Sequence, residues 1–141
     1  MRAVAFLLAG AVAALPSLPD IPWPSLHLPA AVERWLYNPR ERTAEAIEAA
    51  AQGEADRAAD LADTALRIDE KDPAVRYNAG TAQLSAGHER KAVPLLEQAA
   101  LEAGPALSPA AHYNLGNAKL AAGDAAGAVE AYKAALRAEP G

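Results

Sequence analysis

Apolar positions follow three patterns along this chain of 141 residues. The first is unbroken: after Arg2, residues Ala3 to Leu15 carry no charge. The second is broken by proline, at Pro16, Pro19, Pro22, Pro24 and Pro29. Proline fixes φ and removes a backbone donor, so residues 16–29 predict an extended, polyproline-like linker. The third is periodic. In "AAVERWLY", residues 30–37, Val32, Trp35 and Leu36 fall at i, i+3 and i+4, the stripe of a short helix. That helix is expected to cover the unit that follows it.

Beyond residue 37 the pattern itself repeats. "YNAGTAQLSAG" begins at Tyr77 and "YNLGNAKLAAG" at Tyr113, and seven of the eleven positions are identical. Asn38-Pro39, Asp72-Pro73 and Ser108-Pro109 each set a helix-capping residue before a proline, a favoured helix start. The spacings are 34 and 36 residues, and Gly53, Gly87 and Gly123 share them. So do Ala58, Ala92 and Ala128, and Ala65, Ala99 and Ala135. Each unit therefore predicts a first helix of about 13 residues, a turn closed by left-handed glycine, and a second helix of about 14. The units are 38–71, 72–107 and 108–141. Gly80, Gly116, Ala92 and Ala128 are expected where paired helices approach closely, since a larger side chain there would overpack. Pro94 falls inside a second helix and predicts a lost hydrogen bond and a bend.

Composition agrees with closely packed helices. Hydrophobic residues make up 52% of the chain, much of it alanine, while aromatic residues make up 5%. Alanine is the best helix former and a poor strand former. The net charge of −5, without a basic run, argues against a nucleic-acid partner. The chain has no cysteine, which removes disulfides, thiol catalysis, cysteine-based zinc sites and a lipidated cysteine anchor.

A helix pair every 34 residues resembles the tetratricopeptide repeat. The last unit, "HYNLGNAKLAAGDAAGAVEAYKAALRAEP", carries Leu115-Gly116, Gly123, Ala128, Tyr132, Ala135 and Pro140 at the family's landmark spacings, with His112 where the family often has Trp. The middle unit matches through Ala79-Gly80, Gly87, Ala92, Leu96 and Ala99, with two extra residues before Ser108. The first unit is degenerate: Ala46 replaces the landmark glycine, but Gly53, Ala58 and Ala65 keep phase. The resemblance implies an all-α, tetratricopeptide-type α-solenoid of about three helix-turn-helix repeats. Such arrays need polar ends. This chain stops after the third unit's second helix, so its C-terminal face is expected to be open, either because the chain is truncated or because a partner covers it.

Candidate chemistry is sparse. His27 lies in the proline-rich stretch, His88 in a turn expected to be solvated, and His112 on a helix face expected to pack between helices. None pairs at metal-ligand spacing. Glu54, Asp56, Asp60 and Asp63 lie along one helix and predict a solvated outer face rather than a cation site. There is no phosphate-binding loop or nucleophile elbow. The expectation is a protein that is not an enzyme and needs no metal or cofactor.

The family resemblance implies binding along the concave face of the first helices. It places Tyr77, Asn78, Thr81, Leu84, Tyr113, Asn114, Asn117 and Leu120 there. An Asn amide offers donor and acceptor, so it can hold a peptide backbone without reading its sequence. Alternatively, Asn78 and Asn114 bond neighbouring helices, and Tyr77 and Tyr113 pack between repeats. Relatives that grip acidic chaperone termini use Lys and Arg around these asparagines; here those positions hold Ala74, Tyr77, Ala110 and Tyr113. The groove is expected to be polar and nearly uncharged, with Arg76 and Lys119 at its margins, and to take an extended or helical segment of apolar character.

The order charge, apolar run, small residues over 1–15 predicts a secretory signal peptide, cut at Ala11-Val12-Ala13 or one residue on, with a short uncleaved membrane anchor as the alternative. As a helix, Ala3–Leu15 would reach only about 20 Å, against a hydrocarbon core of roughly 30 Å. An exported leader, a spacer, "NPRERT", "YNAGT" and "YNLGNA" together resemble the repeat proteins of Bat-type (Bacteroides aerotolerance) gene clusters. In that family a periplasmic repeat domain accompanies membrane proteins with von Willebrand A domains and an AAA-type ATPase. The resemblance implies a periplasmic or membrane-anchored scaffold for envelope proteins. The alternative is a structural module that self-associates through its C-terminal face, as a homo-oligomer.

Overall fold

A computed structural model describes residues 38–139, together with Val32. The leader at 1–15, the proline-rich linker at 16–29 and the helix at 30–37 lie outside the described residues, except that Val32 is helical. The described chain is all helical, six helices without a strand: α1 (Pro39–Ala51), α2 (Ala55–Ile68), α3 (Pro73–Ser85), α4 (Glu89–Glu102), α5 (Ser108–Ala121) and α6 (Ala125–Ala138). None is long and apolar enough to cross a membrane.

The helix starts follow the caps, with one correction. Asn38 Oδ1 accepts from the Arg40 amide at 3.0 Å, and Asp72 Oδ1 from the Ala74 amide at 2.8 Å. Ser108, expected as the third cap, is instead the first residue of α5, and Leu107 precedes it without a side-chain cap. The two extra residues explain the shift: the Leu107 and Ser108 amides both donate to the Gly104 carbonyl, and this turn runs directly into the helix. Helix α4 runs from Glu89 to Glu102 with exposed Pro94 inside it.

The glycines close the first helix of each pair. Gly53, Gly87 and Gly123 have φ of 80°, 74° and 87°. Beside each, two amides turn back onto the helix end: in the first pair Gly53 donates to the Ala50 carbonyl at 3.0 Å and Glu54 to Ala49 at 2.9 Å. Both bonds recur at Gly87 and Gly123. This is the Schellman geometry, which satisfies carbonyls the helix would otherwise leave open and folds α2, α4 and α6 back on their partners.

Each helix packs on the next in the chain. The first helices also touch one another, α1 on α3 and α3 on α5, and no contact of that extent joins the second helices. The stack therefore curves with α1, α3 and α5 on its inner side, as an α-solenoid does. Alanine dominates the core: Ala46, Ala49, Ala58, Ala62, Ala79 and Ala82 form one buried cluster, and Ala92, Leu96, Ala100, Ala111, Leu115, Ala118 and Ala131 another. Small side chains bring the axes close. A Cβ on Gly80 would stand 2.7 Å from Leu96 Cγ, and Leu96 is fully buried.

The two ends of the stack differ in chemistry. Val75, Ala79 and Ala82 of α3 are buried, as are Ala111, Leu115 and Ala118 at the same repeat positions of α5. Those positions in α1 hold Glu41, Glu45 and Glu48, all exposed. The face of the first pair is thus charged. At the opposite end, α5 and α6 leave Tyr113, Leu120, Val129 and Leu136 exposed at 56%, 55%, 49% and 70%.

Candidate functional site

The eight residues that sequence places in one groove divide among three settings. The first is a strut between α3 and α5. Asn114 donates from Nδ2 to the Tyr77 hydroxyl at 3.0 Å and to Thr81 Oγ1 at 3.1 Å. Both amide protons are committed inside the fold. Tyr77 and Leu84 pack against the core between α4 and α5.

The second setting is a cleft of about 220 Å³ between α1 and α3, lined by Ala46, Ile47, Ala50, Asn78, Thr81, Ala82 and Ser85. None of these carries a charge. Asn78 is half-buried there and makes no hydrogen bond among the described residues. The repeat explains why it differs from Asn114. Asn114 reaches back to Tyr77 and Thr81; the same two positions one unit earlier are Thr43 and Ile47. Thr43 spends its hydroxyl on the Pro39 carbonyl at 2.9 Å, and Ile47 has none to offer. The Asn78 amide therefore stands beside an exposed aliphatic side chain, Ile47, which is 58% exposed.

The third setting is the open face of α5 and α6. A cleft of about 700 Å³ is lined there by Pro109, Ala110, Tyr113, Tyr132, Ala135, Leu136 and Glu139. The Tyr113 and Tyr132 rings meet at 5.7 Å between centroids, tilted by 50°. Asn117 Oδ1 accepts from the Tyr132 hydroxyl at 2.8 Å, so this residue ties α5 to α6.

The expected marginal cations are elsewhere. Arg76 is buried, bonded to Glu102 at 2.6 Å and to the Glu70 carbonyl. Lys119 pairs with Glu97 at 2.8 Å. On the acidic outer face, Glu54 holds Arg57 at 2.7 Å, and that hydrogen bond is the main reason the Arg57 guanidinium sits above its ordinary pKa. Asp63 lies 4.0 Å from Lys91. Among the described residues no group of three His, Asp or Glu could hold a metal ion.

Of the histidines, His88 is exposed as expected, while the His112 ring lacks the hydrogen bond expected of it. His88 is exposed, yet its Nδ1 lies 2.8 Å from the fully buried Gln83 Oε1. An amide oxygen only accepts, so in this contact Nδ1 is the donor. His112 is half-buried and makes no hydrogen bond among the described residues. His27 lies outside the described residues.

Sequence reasoning missed Ile47 and Ala50, which line the inner cleft, and Tyr132 and Leu136 at the open end. The signal was available: Ile47 stands as far before Gly53 as Thr81 does before Gly87. The degenerate first unit has Thr43, Ala44 and Ala46 in place of the "YN.G" phrase, so the phrase does not point to it. In comparisons with known proteins, no family model and no curated protein matches the chain.

Proposed function

We propose that this chain is a tetratricopeptide-type scaffold or adaptor that binds a protein or peptide segment along its inner face, in an exported bacterial envelope setting. The supporting observation is Asn78. A half-buried amide without an internal partner lies beside exposed Ile47 in an uncharged cleft. That combination suits a peptide group next to a small aliphatic side chain, because the amide both donates and accepts and Ile47 supplies apolar area. The envelope setting rests on the leader pattern of residues 1–15 and on the Bat-type resemblance.

The test is capture of solubilised envelope proteins by the immobilised chain, beside Asn78→Ala and Ile47→Asp variants. A protein held by the native chain and released by either variant supports the groove. Equal capture by all three removes it.

Self-association is the second reading, favoured by the exposed Tyr113 and Leu136. A head-to-tail stack would press that apolar face against Glu41, Glu45 and Glu48. Taking these carboxylates out of water against an apolar face, which supplies no counter-charge, costs several kcal/mol each. The chemistry of the two ends therefore favours the adaptor. Sedimentation over a hundredfold concentration range, showing one invariant mass, is the expected result.

A further inference from the structure

We infer that the inner cleft between α1 and α3 is held, in the partner-free chain, by a segment of the chain itself: the proline-rich stretch 16–29, docked through the edge that carries Leu18, Ile21 and Pro24. The inference deepens the adaptor reading and rests on the inner cleft being a peptide site. It starts from the hydrogen bonds of the cleft. Thr81 Oγ1 already accepts from Asn114, and Ser85 Oγ donates to the Thr81 carbonyl at 3.1 Å. The one side-chain polar group left wholly to a guest is the Asn78 amide, two donors and an acceptor oxygen. Aliphatic surface from Ile47, Ala50 and Ala82 makes up much of the rest.

Such a cleft favours a backbone with few donors. An ordinary extended peptide brings one N–H per residue, and a donor buried without an acceptor is costly. Proline brings none, while its carbonyl remains for the Asn78 amide to bond. Residues 16–29 hold five prolines, and Asp20 is the one Asp, Glu, Lys or Arg among them. Polyproline II geometry has three residues per turn and a rise of about 3.1 Å per residue, so Leu18, Ile21 and Pro24 share one edge and Asp20 falls on another. Docked by that edge, the segment sets Ile21 against Ile47 and turns its carboxylate away from an uncharged cleft.

Reach does not limit the contact. From Pro39 to Ile47 is about 12 Å along α1. Residues 22–38, which join Ile21 to α1, cover several times that distance when extended. A tether of this kind holds its segment at a local concentration on the order of millimolar. A contact too weak to persist between separate molecules therefore fills the cleft in cis, and the proline φ angles, already fixed, lower the cost of ordering it. An outside partner must displace the segment to bind.

The probe is Trp23, two residues from Ile21. In the full chain carrying Trp35→Phe it is the one remaining tryptophan. Its quenching by acrylamide should be at least about twofold weaker than in a free peptide of residues 16–29. Ile47 is 58% exposed, so Ile47→Asp should keep native circular dichroism while restoring the quenching of the free peptide. Ile21→Asp should do the same, and the double variant should add nothing, because both remove one contact. Leu101→Asp, on an 84% exposed position of α4, should leave Trp23 protected. Trp23 as open to quencher as in the peptide, or equally protected with Ile47→Asp, would overturn the proposal. Protection that grows with chain concentration would overturn it too, and assign the cleft to the segment of a second copy. The adaptor reading fails separately: equal capture by the native, Asn78→Ala and Ile47→Asp chains removes it, whereas release of Trp23 by Ile47→Asp still assigns the cleft to residues 16–29.

Discussion

Gly116 leaves the space that the Tyr132 ring occupies: a Cβ on Gly116 would stand 2.4 Å from Tyr132 Cε1 and 2.6 Å from Cδ1. The same trade joins Gly80 and Leu96 one repeat earlier. In the first unit both members change together, to Ala46 and Ala62 in one buried cluster. Small against large, or small against small, keeps each pair close. The alanine that made the first unit look degenerate is thus matched by a smaller partner.

Gly116→Ala should therefore change sign with its background. Against Tyr132 the added methyl overpacks, at a cost of about 1–3 kcal/mol, offset in part by about 1 kcal/mol of helix propensity. In a Tyr132→Ala chain only the propensity gain remains, and the same substitution should stabilise. Urea unfolding of the four chains measures the coupling. Additive effects would mean that ring and glycine do not meet.

Gly87 tests a different constraint. No atom lies within 4 Å of a Cβ placed there, so space is not limiting and only its φ of 74° is. Ala at Gly87 should cost about 1–2 kcal/mol, and Asn, which tolerates the left-handed region, less. The expected order of urea midpoints is Gly, Asn, Ala, Val. An Ala chain as stable as the native one would remove the left-handed turn from the account.

These backbone demands are why so much of the fold was legible. A left-handed turn leaves glycine as the natural choice, and a cap followed by proline marks a helix start, so both survive as periodic letters. Departures trace to features that letters alone do not carry. Arg76 adjoins Tyr77 in sequence, but one residue is about 100° of helix rotation, which turns it from the inner face to Glu102 and the Glu70 carbonyl. Ser108 lost its capping role because the inserted turn already uses its amide. Asn78 and Asn114 look equivalent because their own phrase is repeated; what separates them is written one unit upstream, in Thr43 and Ile47.

On α6, the Glu130 carboxyl is held below its ordinary pKa, first by the hydrogen bond from Lys133 Nζ at 2.9 Å and then by that charge. A depressed carboxyl favours the folded state above its unfolded-state pKa, and the contribution is lost as pH falls through the depressed value. Both side chains are open to solvent, so the effect on stability is small and screened by salt. An NMR titration of Glu130 should find its midpoint below that of an ordinary Glu, moving up in Lys133→Met and in high salt. A midpoint indifferent to Lys133→Met would show that the pair does not form in solution.

The two asparagines give the prediction that bears most on function. Asn114→Ala removes two donors and leaves the half-buried Tyr77 and Thr81 oxygens without them, so it should destabilise by about 1–3 kcal/mol. Tyr77→Phe removes one of the same bonds, and the pair should show a coupling of about 0.5 kcal/mol or more in a double-mutant cycle. Asn78→Ala breaks no bond among the described residues and should stay within about 0.5 kcal/mol of the native chain. A binding defect in Asn114→Ala would therefore confound loss of the strut with loss of contact, whereas a defect in Asn78→Ala at unchanged stability reports the cleft alone. If Asn78→Ala proves as destabilising as Asn114→Ala, its amide is held by the fold, and the cleft between α1 and α3 loses the group that marks it as a peptide site.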